Sequence, residues 1–349
     1  MRNAAFLFCV FLTGVFLISS CQQEQEPREP SPPPTVYRTE SRMGTLVTIM
    51  ICEPDKDDNA IRTAMDSAFK RISEIDEAMS TYKDESEVSR VNKTAGIGKV
   101  YVSDDTYAVV EKACEIAGKT DGAFDITVGP LVELWEKTVG EAGIGDYPPE
   151  KDSIAEALKL VGVLDSEKFE FGKEEDGRKY IHLKKKGMRI DLGGIAKGYA
   201  VDEAIKVLMK QGIENALVEA GGDIRAIGKQ GVSKDWPVDV RHYAGFERYF
   251  ERLFIKDQAV ATSSDYERGY VIGGVQYSHI IDPRTGEALP RLLSATVVAP
   301  DCLTADALAT AVCVLGSEGW EKIKERFPRC ARLLVCYDAD LKRALIPNE

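Results

Sequence analysis

The sequence predicts an α+β fold, with mixed or antiparallel sheets flanked by helices. Helical periods of apolar residues fall mainly before residue 210, while the last third is dense in strand-like segments separated only by turns. Strands and helices do not alternate strictly, and no internal repeat or linker interrupts the chain after residue 37, which points to one domain over 37–349.

Residues 1–20 read as a signal peptide. Arg2 gives a positive start, Ala4 to Ile18 is nearly all apolar, and Ser19-Ser20 precede Cys21. The apolar run is short for a membrane span. Ile18-Ser19-Ser20-Cys21 resembles a lipoprotein signal, which makes Cys21 the expected site of lipidation; an ordinary signal peptide containing a cysteine is the alternative. Gln22 to Pro34 is rich in Gln, Glu and Pro and holds no aliphatic residue, so residues 21–36 read as an unpacked tether.

Thr45 to Cys52 is rich in β-formers and is the first expected strand. Asn59 to Met79 carries Ile61, Met65, Ala68, Phe69, Ile72 and Ile75 at helical spacing, and a polar stretch follows to Asn92. Asp104 to Lys119 repeats the helical pattern through Tyr107, Val110, Ala113, Cys114 and Ala117, and residues 151–160 form a shorter one. Phe169–Phe171, Tyr180–Leu183 and Met188–Leu192 read as strands joined by charged turns. A helix over Tyr199–Lys210 is stopped by Gly212. Strands follow at Ala216–Glu219, Val238–Val240, Phe250–Ile255, Val271–Ile272, His279–Ile281 and Ala295–Val298, and then a helix at Thr304–Leu315 with Thr304 as its N-cap.

The formal charge is −12, and removal of residues 1–20 leaves −13. No basic stripe marks a nucleic-acid surface. An acidic protein that handles an anionic ligand needs a metal or a few local cations. The eight cysteines form no CxxC pair and no zinc spacing. Cys114 and Cys313 sit in apolar helical patterns as small core residues, and Cys330 with Cys336 is the one pairing suggested.

Four segments carry chemistry. In Leu303-Thr304-Ala305-Asp306-Ala307-Leu308-Ala309-Thr310, Asp306 and Thr310 are four apart and share a helix face. A carboxylate and a hydroxyl are hard oxygen ligands suited to Mg²⁺; on spacing alone the plainer case, a dipole-complementing Asp and a core Thr, is favoured. In Arg189-Ile190-Asp191-Leu192-Gly193-Gly194-Ile195-Ala196-Lys197-Gly198 a glycine pair precedes a helix whose N-terminus attracts phosphate, and Lys197 adds a cation. It matches neither a Walker A loop nor GxGxxG, and alone it reads equally well as a tight turn. Thr120 to Leu131 crowds two acids, two glycines and a proline around Phe124. Ser278 to Gly286 holds His279, one of three histidines, before the β-turn Asp282-Pro283-Arg284-Thr285-Gly286.

Together these segments resemble the ApbE family of FAD:protein FMN transferases. Met43-Gly44-Thr45, Ser80-Thr81-Tyr82 with Ser86-Glu87 and Asn92, Gly122–Leu131, Asp191–Asp202, Ala220-Gly221-Gly222-Asp223, Ala261-Thr262-Ser263, His279–Gly286 and Thr304–Thr310 occur in one order from Met43 to about Leu315. That joint occurrence carries the ligand readings over the plainer ones. Ser264 departs from the family, which commonly has glycine there, and a local adjustment of a turn is expected.

The resemblance implies an ApbE-like architecture related to the T-fold. It places Met43, Tyr82, Ala123, Phe124, Asp125, Asp191 and Lys197 along bound FAD, with His279 and Ile280 by the flavin end. It implies Mg²⁺ held by Asp306, Thr310 and the Gly194 carbonyl. The implied reaction transfers FMN from FAD to a Ser or Thr hydroxyl of an acceptor flavoprotein subunit in a membrane redox complex and releases AMP, with Asp306 or His279 as candidate base. The alternatives are an FAD pyrophosphatase giving FMN and AMP, and a lipoprotein that binds FAD without chemistry. The expected location is the bacterial cell envelope, anchored by lipid on Cys21 and facing the periplasm.

Overall fold

The computed structural model describes residues 35–139, 144–231, 234–241, 249–264, 269–290, 293–337 and 343–344. Cys21, the signal peptide and the tether up to residue 34 lie outside the described residues. No helix among the described residues is long and apolar enough to cross a membrane.

An eight-stranded antiparallel sheet is the frame. Its spatial order is Val36–Arg42, Thr45–Ile51, Ala216–Ala220, Asp223–Ile227, Gln258–Ser264, Leu293–Ala299, Ala331–Tyr337 and Arg343–Ala344. Period-two patterning sets its faces. Val47, Ile49 and Ile51, with Ala216, Val218 and Ala220, enter the main core, whereas Leu217, Ala226 and Val260 face the opposite cluster with Trp236, Val238 and Ile255. The hairpin of Trp236–Arg241 and Tyr249–Ile255 supplies that second cover.

On the main face pack the helices Asp58–Met79, Asp104–Lys119, Ala196–Lys210 and Cys302–Ile323. Asp58–Met79 buries Ile61, Met65, Phe69, Ile72 and Ile75 as one stripe and begins at a capping Asp57, which accepts from the backbone N–H groups of Asn59 and Ala60. Ala196–Lys210 packs between that helix and Cys302–Ile323. A smaller sheet of Ala288–Pro290, Val275–Ile281, Gly269–Ile272 and Ile144–Gly145 contains one parallel pair and surrounds a separate cluster with Leu131, Trp135 and Ile154. Strands and helices are segregated, as α+β requires.

Six local expectations need correction. Met188–Leu192 is extended but belongs to no sheet: Ile190 exchanges backbone hydrogen bonds with the Asn92 side chain, and Asp191 N donates to Ile126 O. Its alternating burial imitates a strand while its hydrogen bonds go elsewhere. The polar stretch before Asn92 contains a helix, Glu87–Lys93, capped by Ser86 and burying Val88 and Val91. The N-cap of the last long helix is Asp301, which accepts from Thr304 N at 2.8 Å; Thr304 is inside the first turn, its hydroxyl buried without a hydrogen-bond partner. Cys330 is a free thiol, so the suggested pairing with Cys336 is not made. Ser264 makes no turn: it ends the Gln258–Ser264 strand opposite Ser294 and is accommodated there. The first strand begins at Val36, one residue inside the stretch read as tether.

Candidate functional site

The glycine loop is shaped by Asp191, whose Oδ1 accepts from Gly193 N at 2.7 Å. This short-range turn carries the chain into the Ala196–Lys210 helix, which has no side-chain cap. Ala196 N turns back to Leu192 O, which leaves the N–H of Gly198 to face another element. Gly198 N donates to Asp306 Oδ2 at 3.0 Å, joining the loop helix to the Cys302–Ile323 helix. The two helices touch so closely there that a Cβ on Gly198 would stand 2.3 Å from Cys302 O and 2.8 Å from Asp306 Cβ.

Asp306 is buried, yet it faces polar partners rather than the apolar core. Its Oδ1 lies 3.7 Å from Lys197 Nζ, and the same ammonium makes a close ion pair with Asp223, which opens the Asp223–Ile227 strand. Burial pulls Lys197 down, but the two carboxylates outweigh it and hold the ammonium above its ordinary value. Burial, and then the neighbouring Asp306, push Asp223 up to about 8 against the pull of Lys197. The ammonium is the firmly charged partner, and two carboxylates compete for it. Two carboxylates therefore share one ammonium, and a bound cation would balance the surplus charge.

Thr310 lies one turn along from Asp306. Its Oγ1 is 3.1 Å from Ser263 Oγ. A Cβ on Gly194 would meet Thr310 Oγ1 at 3.2 Å and Phe124 Cε2 at 3.4 Å, so Gly194, Thr310 and Phe124 converge. The donor set of Asp306, Thr310 and the Gly194 backbone, with Asp223 behind, is all oxygen. Among the described residues no three His, Cys, Asp or Glu side chains form a metal cage. Mg²⁺ ordinarily takes one or two carboxylates and completes its shell with water and substrate phosphates, so these residues fit it.

Of the remaining expected residues, Phe124 reaches this centre, and the others differ in burial and in what they contact. Met43 and Gly44 both have positive φ, 51° and 70°, at the tip of the first hairpin. Such a turn suits glycine, and a methionine there is held by its surroundings at a strain cost. The following Thr45 abuts Gly221, where a Cβ would come within 2.8 Å of Thr45 Oγ1, so the corner sits beside the turn that leads to Asp223. Tyr82 is 88% exposed. The hydroxyl of half-buried Tyr270 is pushed up to about 12 by burial, then by Glu136, Tyr82 and Asp191. Ala123, Phe124 and Asp125 are buried. Asp125 Oδ1 accepts from Thr127 N and Oγ1 and its Oδ2 from Val163 N, so that carboxylate fixes its own turn and ties it to the distant chain at Val163. Burial raises it. Half-buried His279 and buried Ile280 are on the Val275–Ile281 strand, which packs against the Cys302–Ile323 helix.

Three residues of this site had no role in the sequence reading. Asp223 follows the Gly221-Gly222 pair, and that pair was the signal. Ser263 lies within Ala261-Thr262-Ser263. Asp202 accepts from Cys302 N at 2.9 Å, from Leu303 N at 3.0 Å and from Arg225 Nη1, tying the loop helix to the start of the Asp306 helix. A hollow lined by Pro130, Glu133, Leu134 and Glu156 backs onto the Gly129–Glu136 helix, away from the Asp306 cluster.

Fold and site together define a mixed α+β protein in which a glycine loop, a helix N-terminus and the side-chain oxygens of Asp306 and Thr310 lie together. The chain belongs to the ApbE family, whose model matches residues 43–334. The FAD:protein FMN transferase of Vibrio cholerae is 34% identical over 324 residues, covering 91% of this chain and 89% of that protein. The FAD:protein FMN transferase of Treponema pallidum is 32% identical over 343 residues, covering 95% and 90%. Among solved structures, the ApbE protein from Thermotoga maritima superposes with a TM-score of 0.77 at 34% identity, covering 90% of this chain and 97% of that one. The flavin transferase ApbE from Vibrio cholerae gives 0.74 at 33%, covering 88% and 96%.

Proposed function

We propose that this chain is a Mg²⁺-dependent FAD:protein FMN transferase that modifies a Ser or Thr hydroxyl of an acceptor flavoprotein and releases AMP. The observation that carries the reading is the convergence of Asp306, Thr310 and Gly194 at the N-terminus of the loop helix, beside Lys197. Relatives that match nearly end to end bear that name.

The acceptor hydroxyl oxygen forms a new bond to the FMN phosphorus, the bridging P–O bond breaks, and AMP leaves with the bridging oxygen. Asp306, Thr310 and the Gly194 carbonyl would hold Mg²⁺, which would supply charge neutralisation at the diphosphate. Lys197 adds positive potential in an otherwise acidic protein. The hydroxyl proton needs an acceptor. Asp306 is poorly suited, since its Oδ2 already accepts from Gly198 N and its Oδ1 faces an ammonium. His279 is the candidate base retained, its strand packed on the Asp306 helix. Met43, Tyr82 and the Ala123–Asp125 run border the nucleotide and Ile280 the flavin.

We also infer a lipid anchor on Cys21 and a position facing the periplasm, from the charged start, apolar run and small residues before Cys21 and from the Pro-rich tether. Acceptors are then subunits of membrane redox complexes.

The test is incubation with FAD, Mg²⁺ and an acceptor flavoprotein, followed by mass spectrometry. An FMN adduct that Asp306→Ala abolishes is expected. Equal adduct from the alanine variant refutes the metal assignment, and rapid AMP release without acceptor identifies an FAD pyrophosphatase instead.

A further inference from the structure

The Asp223–Lys197–Asp306 cluster does more than supply one ligand. Asp223 is 2% exposed, and Asp306 is 2% exposed. A single ammonium reaches both, in close contact with Asp223 and 3.7 Å from Asp306 Oδ1. Lys197 is the third residue after Gly194 and projects from the first turn of the helix whose Gly198 N–H binds the other Asp306 oxygen. The Gly198 N–H and the Lys197 ammonium that meet Asp306 thus come from one helical turn, and Asp223 meets the same ammonium from a strand. The ammonium lies on Asp306, the carboxylate that would hold a divalent cation.

We propose that Lys197 is a tethered competitor for Asp306, and that Asp223 is a positioning residue that draws the ammonium aside so that a divalent cation can enter. The inference rests on the metal assignment made above. Its physical basis is Coulombic. An ammonium about 4 Å from a buried carboxylate opposes a second positive charge there, and the opposition falls as another carboxylate takes hold of it. In this cluster Asp223 holds Lys197 more closely than Asp306 does, so the resting arrangement is already biased toward admitting the cation. After entry the ammonium remains beside the site on Asp223, where it faces an incoming diphosphate.

Removing the competitor tightens cation binding, and removing the positioning carboxylate weakens it. Two substitutions in one cluster therefore have opposite signs, an outcome that general loss of structure does not produce. The probe is Mn²⁺ alone, titrated into the full protein without FAD and read by electron paramagnetic resonance, with thermal unfolding run in parallel. Wild-type protein with no saturable Mn²⁺ site refutes the metal assignment itself. With that site present, Lys197→Met is expected to bind Mn²⁺ about tenfold more tightly and Asp223→Asn about tenfold more weakly. The double variant separates positioning from direct ligation: binding like Lys197→Met supports action through the lysine, and binding like Asp223→Asn makes Asp223 a ligand and overturns the proposal. Lys197→Met binding no tighter than wild type also overturns it. Should Lys197→Met unfold, Lys197→Gln carries the same expectation.

Discussion

Gly198 and Asp306 are joined by a 3.0 Å hydrogen bond from a helix-start N–H to a buried carboxylate. The contact spans 108 residues of chain and makes the glycine loop and the Asp306 helix one rigid unit. Gly194 and Lys197, both just before Gly198 in the chain, take their positions from it, so the geometry of the site is set by how closely two helices approach.

Gly198→Ala is expected to destabilise by at least about 3 kcal/mol, the upper part of the overpacking range. The new Cβ would meet the Cys302 carbonyl at 2.3 Å, and backbone cannot yield as a flexible side chain can. Denaturant unfolding measures the loss, and a change under 1 kcal/mol, within the usual surface range, would contradict the contact.

Gly194→Ala separates site from fold. Its Cβ would press on Thr310 Oγ1 at 3.2 Å and Phe124 Cε2 at 3.4 Å, contacts that small shifts relieve. Stability should change by less than about 1 kcal/mol, while Mn²⁺ affinity and FMN transfer both fall about tenfold or more as Thr310 is displaced. Unchanged Mn²⁺ affinity would show that Gly194 and Thr310 do not act together.

Asp202→Asn tests the tie between the two helices. Asp202 is buried, accepts two backbone N–H groups at the start of the Cys302–Ile323 helix, and pairs with Arg225. Arg225 then keeps its charge without a carboxylate partner, a loss of roughly 3 kcal/mol. Thermal unfolding should show it, accompanied by weaker Mn²⁺ binding because Asp306 rides on the same helix. A variant as stable as the parent would remove Asp202 from this role.

Acid stability has a surface contribution at Glu170. Its carboxylate accepts from Lys184, at 2.8 Å, and from the Tyr180 hydroxyl, at 2.7 Å, and these hydrogen bonds draw it down from its ordinary 4.5 to about 2. A depressed carboxylate stabilises the fold above its unfolded value and loses that contribution as pH falls, here between about 4.5 and 2. The side chain is 36% exposed, so solvent screening keeps the effect under about 1 kcal/mol. Glu170→Gln should flatten the stability–pH curve in that window and nowhere else.

Met43→Gly probes the left-handed hairpin corner. Glycine adopts the φ of 51° without penalty, so deleting this half-buried side chain should cost little stability. FAD binding should nevertheless weaken, measurable as a raised KM with a much smaller change in kcat. A stability loss beyond about 2 kcal/mol would mean that the residue serves the core instead.

Much of this was legible along the chain, because it depends on neighbours within a few residues. Ile61 to Ile75 announce a helix by their spacing, and that helix is found. Asp306 and Thr310 are a turn apart in any helix, and the helix there is real. Errors arose where local pattern and hydrogen bonding part company. Met188, Ile190 and Leu192 alternate like a strand, yet Ile190 pairs with the Asn92 side chain. Thr304 has the chemistry of an N-cap, but Asp301 is nearer the helix start and takes the role. Glu87–Lys93 is too short and too polar to declare itself by period, and its buried Val88 and Val91 gain meaning only against the core.

The sequence by itself determined the segregated α+β character, the amphipathic helices, the glycine loop and the pairing of Asp306 with Thr310, since each follows from the 2.0 and 3.6 residue periods and from short-range turns. Only the tertiary structure decided that Asp223 would meet Lys197, that Ser263 would meet Thr310 and that Asp202 would hold a helix start 100 residues away. Those meetings depend on strand register and on the separation between packed helices. Both are properties of distant segments brought together, and neither is written in any local stretch of chain.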